Sequence, residues 1–229
     1  MRLVARQVSH AWTDRGNRVA AVRSFSGELD SRRAHLICGP SGSGKTTLGM
    51  ILSGLIAPQE GIVTVEELDA ASWKRDAAFV FQFPEALFFS DTIEEELQQI
   101  VGSNRAAASR WFEALGVPLE KVLDAHPYHL SDGCARLIAV GLQLAREPRI
   151  LVLDEPSIGL DWVLHERLAH TLSEYASSDR ILLVITHDLD LMHALGGAAW
   201  VLREGALAWR GSTNSLLSDQ DLMTRCALL

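Results

Sequence analysis

Gly39-Pro40-Ser41-Gly42-Ser43-Gly44-Lys45-Thr46-Thr47 decides how the chain is read. It fits G-x-x-x-x-G-K-[ST], the pattern of a loop that wraps phosphate. Apolar Leu36 and Ile37 lead into it, as the end of a buried strand would. Leu48, Met50, Ile51 and Leu52 follow at roughly helical spacing. Between a strand and a helix, the glycines let the backbone curl so that successive N–H groups point inward at phosphate oxygens. The helix N-terminus adds a fixed positive field. All of residues 39–47 are therefore candidate nucleotide contacts. Lys45 is expected to reach the β- and γ-phosphates, and the Thr46 hydroxyl to ligate Mg²⁺.

The 229 residues can bury a sizeable core, and 48% hydrophobic with 22% charged is a globular composition. The formal net charge of −8 argues against a general nucleic-acid binder, which needs a basic surface. An anionic nucleotide still fits, because the glycine-rich loop supplies positive potential locally. Cys38, Cys134 and Cys226 are far apart without metal-ligand spacing and read as reduced cytosolic thiols. The N-terminus has no long apolar stretch of the secretory kind. Apolar runs such as Ile181 to Ile185 are strand-length, well short of the ~20 residues of a membrane span. Work at a membrane would therefore be that of a peripheral subunit.

Around the loop, the chain alternates strands and helices. Val4 to Trp12 and Arg18 to Leu29 read as strands about a turn at 14–17. Ala57 to Gly61 is a turn, Ile62 to Val65 a short strand, and Ala78 to Phe81 an apolar strand ending at Gln82. Phe83-Pro84-Glu85 breaks it. From Thr92 to about Gly116 the composition favours helix, with Thr92 and Glu95 spaced as a capping box. Residues of about 85 to 146 look like a helical subdomain inserted into a core made of 1–84 and 147–229. Leu151 to Leu153 resumes the core, an amphipathic helix runs through Val163, Leu164, Leu168, Leu172 and Tyr175, and Ile181 to Thr186 is a buried strand. Ala198 to Leu202 and Ala206 to Trp209 read as a final hairpin. The fold expected is α/β, a mainly parallel sheet with helices on both faces and a strand-rich N-terminal part.

Further residues carry chemistry at strand ends. Leu151-Val152-Leu153-Asp154-Glu155 is an apolar strand closed by adjacent acids, which need partners if buried. Asp154 suits a Mg²⁺ site opposite Thr46, and Glu155 suits a general base that polarises water. The plain alternative is a solvated strand end. His187 follows Ile181 to Thr186 and would share the rim where ligands bind in open α/β sheets. There it can donate to a γ-phosphate oxygen or orient water. Gln82, an amide able to ligate Mg²⁺ and contact water, takes its weight only from the surrounding pattern. Ser131 and Gly133 lie in Leu130-Ser131-Asp132-Gly133-Cys134, ahead of the helical run 135–146. Residue chemistry supports an anion site and a simple helix cap equally.

Taken together, these residues resemble the ATP-binding-cassette (ABC) ATPase family across essentially the whole chain. In order they match its P-loop at 39–46, Q-loop at Gln82, signature at 130–134, Walker B at 150–155, D-loop at 158–161 and H-loop at His187. The resemblance implies ATP with Mg²⁺, and two cassettes dimerised head-to-tail with each ATP between one P-loop and the other signature. Trp12, in Val8-Ser9-His10-Ala11-Trp12, is similar to the family's adenine-stacking aromatic, with a core tryptophan as the alternative. Phe81-Gln82-Phe83-Pro84-Glu85, Phe88-Phe89 and Thr92-Ile93 are similar to the ATPases of energy-coupling factor (ECF) importers of vitamins or transition-metal ions. That implies integral membrane partners and a place on the cytoplasmic face of the membrane. The chain stops soon after the core, which points to a shorter branch such as the biotin- or metal-type systems. The family's usual signature is LSGGQ; here it is LSDGC. Asp132 would either put a carboxylate near a partner's γ-phosphate or face away and cap its own helix. The second chain is thus a homo- or heterodimer partner, and the first alternative points to a heterodimer in which this chain supplies the better catalytic half. The other readings are a soluble ABC ATPase, for example in cofactor or cluster assembly, and a weakly hydrolysing partner.

Overall fold

Alternating strands and helices produce two sheets in the computed structural model, which describes all residues except 15, 67, 70, 71, 84–87, 103, 226, 227 and 229, and the side chains of 14 and 225. Arg15 of the first turn, Pro84 and Glu85 of the ECF-like segment, and Cys226 thus lie outside the described residues. The strands are β1 (Arg2–Asp14), β2 (Asn17–Asp30), β3 (Ala34–Cys38), β4 (Glu60–Val65), β5 (Ala77–Val80), β6 (Ile150–Asp154), β7 (Ile181–Ile185), β8 (Ala198–Arg203) and β9 (Ala206–Ser212). The helices are α1 (Lys45–Leu52), α2 (Ile93–Val101), α3 (Arg105–Ala114), α4 (Leu119–Val122), α5 (Asp132–Ala145), α6 (Trp162–Ser177), α7 (Leu189–Leu195), α8 (Thr213–Leu217) and α9 (Gln220–Arg225).

Among the described residues, one sheet has three strands in the order β2-β1-β4, all antiparallel. The other has six in the order β5-β6-β7-β3-β8-β9, parallel except for β9. The central strands are buried along their whole length because both faces are covered, and apolar but for His35 and the terminal Asp154. Their side chains alternate between two cores. Leu36, Leu151, Leu153, Leu182 and Val184 join the core that also takes in α3, α5 and α6. Ile37, Ile150, Val152, Leu183 and Ile185 join the core beneath α1 and the antiparallel sheet. The helices between β5 and β6 thus share a core with one face of the main sheet.

The expected helix from 92 to about 116 is two helices, α2 and α3, separated at Gly102. Only half of the expected capping box forms. The Thr92 hydroxyl accepts from the Glu95 N–H, but the Glu95 carboxylate turns to the Asp91 N–H instead of reaching back to Thr92. The buried Glu96 carboxylate accepts the N–H groups of Phe89 and Ser90 and pins the loop that enters α2.

Candidate nucleotide site

Topology assembles the site. The glycine-rich loop leaves β3, Gln82 follows β5, Asp154 closes β6, and His187 lies just past β7. In the strand order these are neighbouring carboxyl ends, so a single rim receives all four. A cleft of about 640 Å³ there is lined by Trp12, Val19 to Ala21, the loop with Lys45, Thr46 and Thr47, and by Gln82, Asp154, Glu155 and His187.

The loop can be made only with glycine at its tightest points. Gly39 and Gly44 have φ of 134° and 97°, and a Cβ would stand 2.1 Å from the Leu202 carbonyl oxygen and 1.9 Å from that of Ala21. Gly44 is the N-cap of α1 and has no side chain to cover the first N–H groups, which stay available to an anion. Ser43 is the loop residue that does not line the cleft. It is buried, its carbonyl accepts from the Gly205 N–H, and its hydroxyl turns into the protein. The Lys45 ammonium donates to the carbonyls of Gly39 and Pro40 at 2.8 and 2.9 Å. Burial lowers its pKa, while Glu155 and Asp154 pull it back up.

The Thr46 hydroxyl donates to Asp154 at 2.6 Å. Burial raises the Asp154 carboxyl above its ordinary value; the Thr46 bond and Lys45 oppose this, and neighbouring Glu155 adds to it. A buried carboxylate beside a second carboxylate and a hydroxyl is a hard-oxygen set that a divalent cation would satisfy. Among the described residues no group of three or more His, Cys, Asp or Glu forms a metal cage. Mg²⁺ needs no such cage, being held by one or two carboxylates together with phosphate and water. Thr46 and Asp154, bonded to each other, and Gln82, which lines the same cleft, are the residues that could hold it.

Glu155 is in a left-handed conformation, φ 50°, which non-glycine residues adopt at a cost of about 1–3 kcal/mol and mostly at functional sites. One carboxylate oxygen is 2.6 Å from His187 Nδ1, and the other accepts from the Thr186 hydroxyl at 3.1 Å. Glu155 is buried, whereas the His187 side chain is 66% exposed. The pair therefore reaches from the sheet end out to the cleft mouth. Behind it, the Thr186 hydroxyl accepts from the Asp188 N–H. Asp188 caps α7 and accepts from Ser157 at 2.6 Å, with His165 Nε2 at 2.8 Å. Burial works against ionisation of Asp188, but the bonds from Ser157, Leu191 and His165 hold it below its ordinary value. Sequence reasoning missed Thr186, Ser157 and His165. A hydroxyl one residue before His187 was the available signal.

Trp12 is 44% exposed, so it is not a core tryptophan. Its Nε1 donates to the Thr47 hydroxyl at 3.1 Å, and its ring meets His10 edge-on at 4.6 Å. The indole is thus fixed beside the loop with a face open. Ser131 and Gly133 are not brought to this cleft. The Ser131 hydroxyl caps α5, accepting from the Cys134 N–H at 3.4 Å. Gly133 is buried against Gly159 of the loop after β6.

The family model described as "ABC transporter" matches residues 22–158. The chain is 39% identical over 199 residues to the Streptomyces coelicolor protein SCO3161, provisionally named an ABC transporter ATP-binding protein, covering 82% of this chain and 75% of that one. It is 28% identical over 228 residues to the energy-coupling factor transporter ATP-binding protein EcfA2 of Mycoplasma pneumoniae, covering 92% and 75%. The fold is similar to the dimeric structure of MJ0796, titled a bacterial ABC transporter cassette, with a TM-score of 0.80, 24% identity, and 92% and 98% coverage.

Proposed function

The chain belongs to the ABC transporter ATPase family, and on that premise we propose that it powers an ECF-type importer of a vitamin or a transition-metal ion. The observation that carries the hydrolytic half of this reading is the Glu155–His187 pair in the same cleft as Lys45 and the Thr46–Asp154 bond. Trp12 stacks on adenine, and the cleft-lining residues of the 39–47 loop, all but Ser43, take the phosphates. Glu155 accepts a proton from water as the water oxygen bonds the γ-phosphorus and the β–γ bridging oxygen leaves with ADP. His187 orients that water or donates to a γ-phosphate oxygen, and Thr186 fixes the Glu155 carboxylate. Mg²⁺ held by Thr46, Asp154 and Gln82 would neutralise charge on the phosphates.

Relatedness to EcfA2 over most of the chain supports the importer reading. Among the described residues no helix is long and apolar enough to cross a membrane, so integral partners would supply the pathway. The test is purification of the tagged chain from its native membrane in mild detergent. Co-elution with integral membrane chains is expected; recovery of an active ATPase without any would favour the soluble alternative, such as cofactor or cluster assembly.

Asp132 favours a refinement of this reading. It is exposed in the first turn of α5, beside Ser131, on the surface a second cassette would meet. A carboxylate there repels a partner's γ-phosphate, so the natural dimer is a heterodimer to which this chain brings the stronger hydrolytic half. Asp132→Gly should raise turnover of the purified homodimer severalfold. Robust wild-type turnover left unchanged by the substitution would overturn the refinement.

A further inference from the structure

Arg136 is 4% exposed, one turn into α5 from Ser131. Its partners include main-chain oxygens from two distant segments. One guanidinium nitrogen donates to the Gln82 carbonyl at 2.8 Å, and another donates to the Ile158 carbonyl. Gln82 lines the nucleotide cleft; Ile158 starts the loop that carries Gly159 and Leu160. That loop is also held directly by α5, since a Cβ on Gly133 would stand 2.8 Å from the Gly159 carbonyl oxygen. The start of α5 is thus fastened to the loop after β6 at two points, and to the segment after β5 at one.

A buried guanidinium is costly unless its hydrogens are satisfied. Its planar fork can serve two acceptors in different directions at once, which a single ammonium does less well. Moving Gln82 alone would strip an acceptor from a buried cation. The lower-energy response is for Gln82, the 158–160 loop and the start of α5 to move together.

We infer that Arg136 is a positioning residue that ties the Gln82 segment, which lines the nucleotide cleft, to Ser131 and to the 158–160 loop. The state of this chain's own cleft thereby sets the geometry of the surface offered to a second cassette. The inference rests on the reading above, in which hydrolysis occurs between two cassettes. Arg136 itself does not line the cleft.

The test compares wild type, Arg136→Met and Arg136→Lys in steady-state phosphate release against ATP concentration, with equilibrium ATP binding and far-UV circular dichroism alongside. Arg136→Met should lower kcat about tenfold or more, leave ATP affinity within about threefold, and bring the Hill coefficient toward one. Arg136→Lys keeps the charge and part of the contact, and should recover part of the rate and of the cooperativity. If Arg136→Met does not fold, Arg136→Lys carries the test: it must bind ATP as wild type does, yet turn over more slowly and less cooperatively. The inference is overturned if the folded variants keep the wild-type rate and Hill coefficient, or if their rate loss is matched by loss of ATP affinity. A chain that binds ATP but hydrolyses it neither as wild type nor as Asp132→Gly would instead refute the hydrolytic reading.

Discussion

Replacing Glu155 by glutamine separates its chemical part from its structural one. The glutamine carbonyl can keep the Thr186 bond, now 3.1 Å, and its amide can face His187 Nδ1, now at 2.6 Å, with the imidazole proton on Nε2. The left-handed backbone at 155 is equally strained in both proteins. Exchanging a charge-assisted bond for a neutral one costs about 1 kcal/mol. Removing one of two adjacent carboxylates, which pushes Asp154 upward, returns part of that. Stability should therefore stay within about 1 kcal/mol, a shift in Tm of no more than about 2–4 °C. Turnover should fall by about 10²–10⁴, or roughly 2.7–5.4 kcal/mol of barrier, because an amide cannot take the proton. Single-turnover phosphate release with radiolabelled ATP measures the rate; calorimetry on the same sample measures binding, expected unchanged or tighter. Adding His187→Ala to Glu155→Gln should cost little more, since the two groups act as one unit. A variant that binds ATP and still hydrolyses it within about threefold of wild type would refute Glu155 as the base.

Trp12→Ala should weaken ATP binding by about 1–3 kcal/mol, the usual worth of a base on an aromatic ring, or roughly 5- to 150-fold. Trp12→Phe should keep most of the affinity, losing only the Thr47 bond; equal losses in calorimetry would point away from stacking. Asp154 is raised by burial, so its contribution to stability is most favourable below the ordinary carboxylate pKa and declines as pH rises through its folded value. Asp154→Asn should therefore raise Tm in Mg²⁺-free buffer at pH 7, with little effect at pH 3.5, while abolishing hydrolysis; a lower Tm at pH 7 would contradict this. Burial lowers His35 from 6.5 to about 4, so its stabilisation is present above pH 6.5 and lost as pH falls toward 4, on the order of 3 kcal/mol. Urea titrations of His35→Gln should show a flatter acid limb across that window, and an unchanged slope would argue against it.

What the residues disclosed in advance was the set of groups at strand ends. Asp154 after four apolar residues, and His187 after Ile181 to Thr186, mark places where a buried strand opens to a rim. Strand order then brings them together with the loop at 39–47. What they did not disclose was side-chain reach. Nothing in the spacing joins His187 to Glu155, or Arg136 to main-chain oxygens near residues 82 and 158. Main-chain acceptors have no residue type to read. Asp188 caps the seven-residue α7. So short a helix gives too few turns for a period to be seen, and the same holds for α8 and α9.

The unusual signature fits the same distinction between what the chain's own fold demands and what a second chain would feel. Ser131 is held by its role as the cap of α5. Gly133 is fixed because a methyl group would press on the Gly159 carbonyl, main chain that cannot swing aside. The departures from LSGGQ fall instead at Asp132 and Cys134, neither of which the fold forces to be glycine or glutamine. Asp132 is exposed in the first helical turn, where a carboxylate is favourable by about 0.3–1 kcal/mol. Cys134 is half-buried and leans on the helical core, its thiol pushed up by burial. LSDGC therefore costs this chain little in folding, and its consequence falls in a site completed with another cassette. Asp132→Gly should change turnover while shifting Tm by no more than about 2–4 °C. A large fall in stability would mean that the carboxylate serves the chain's own helix more than it hinders a partner's phosphate.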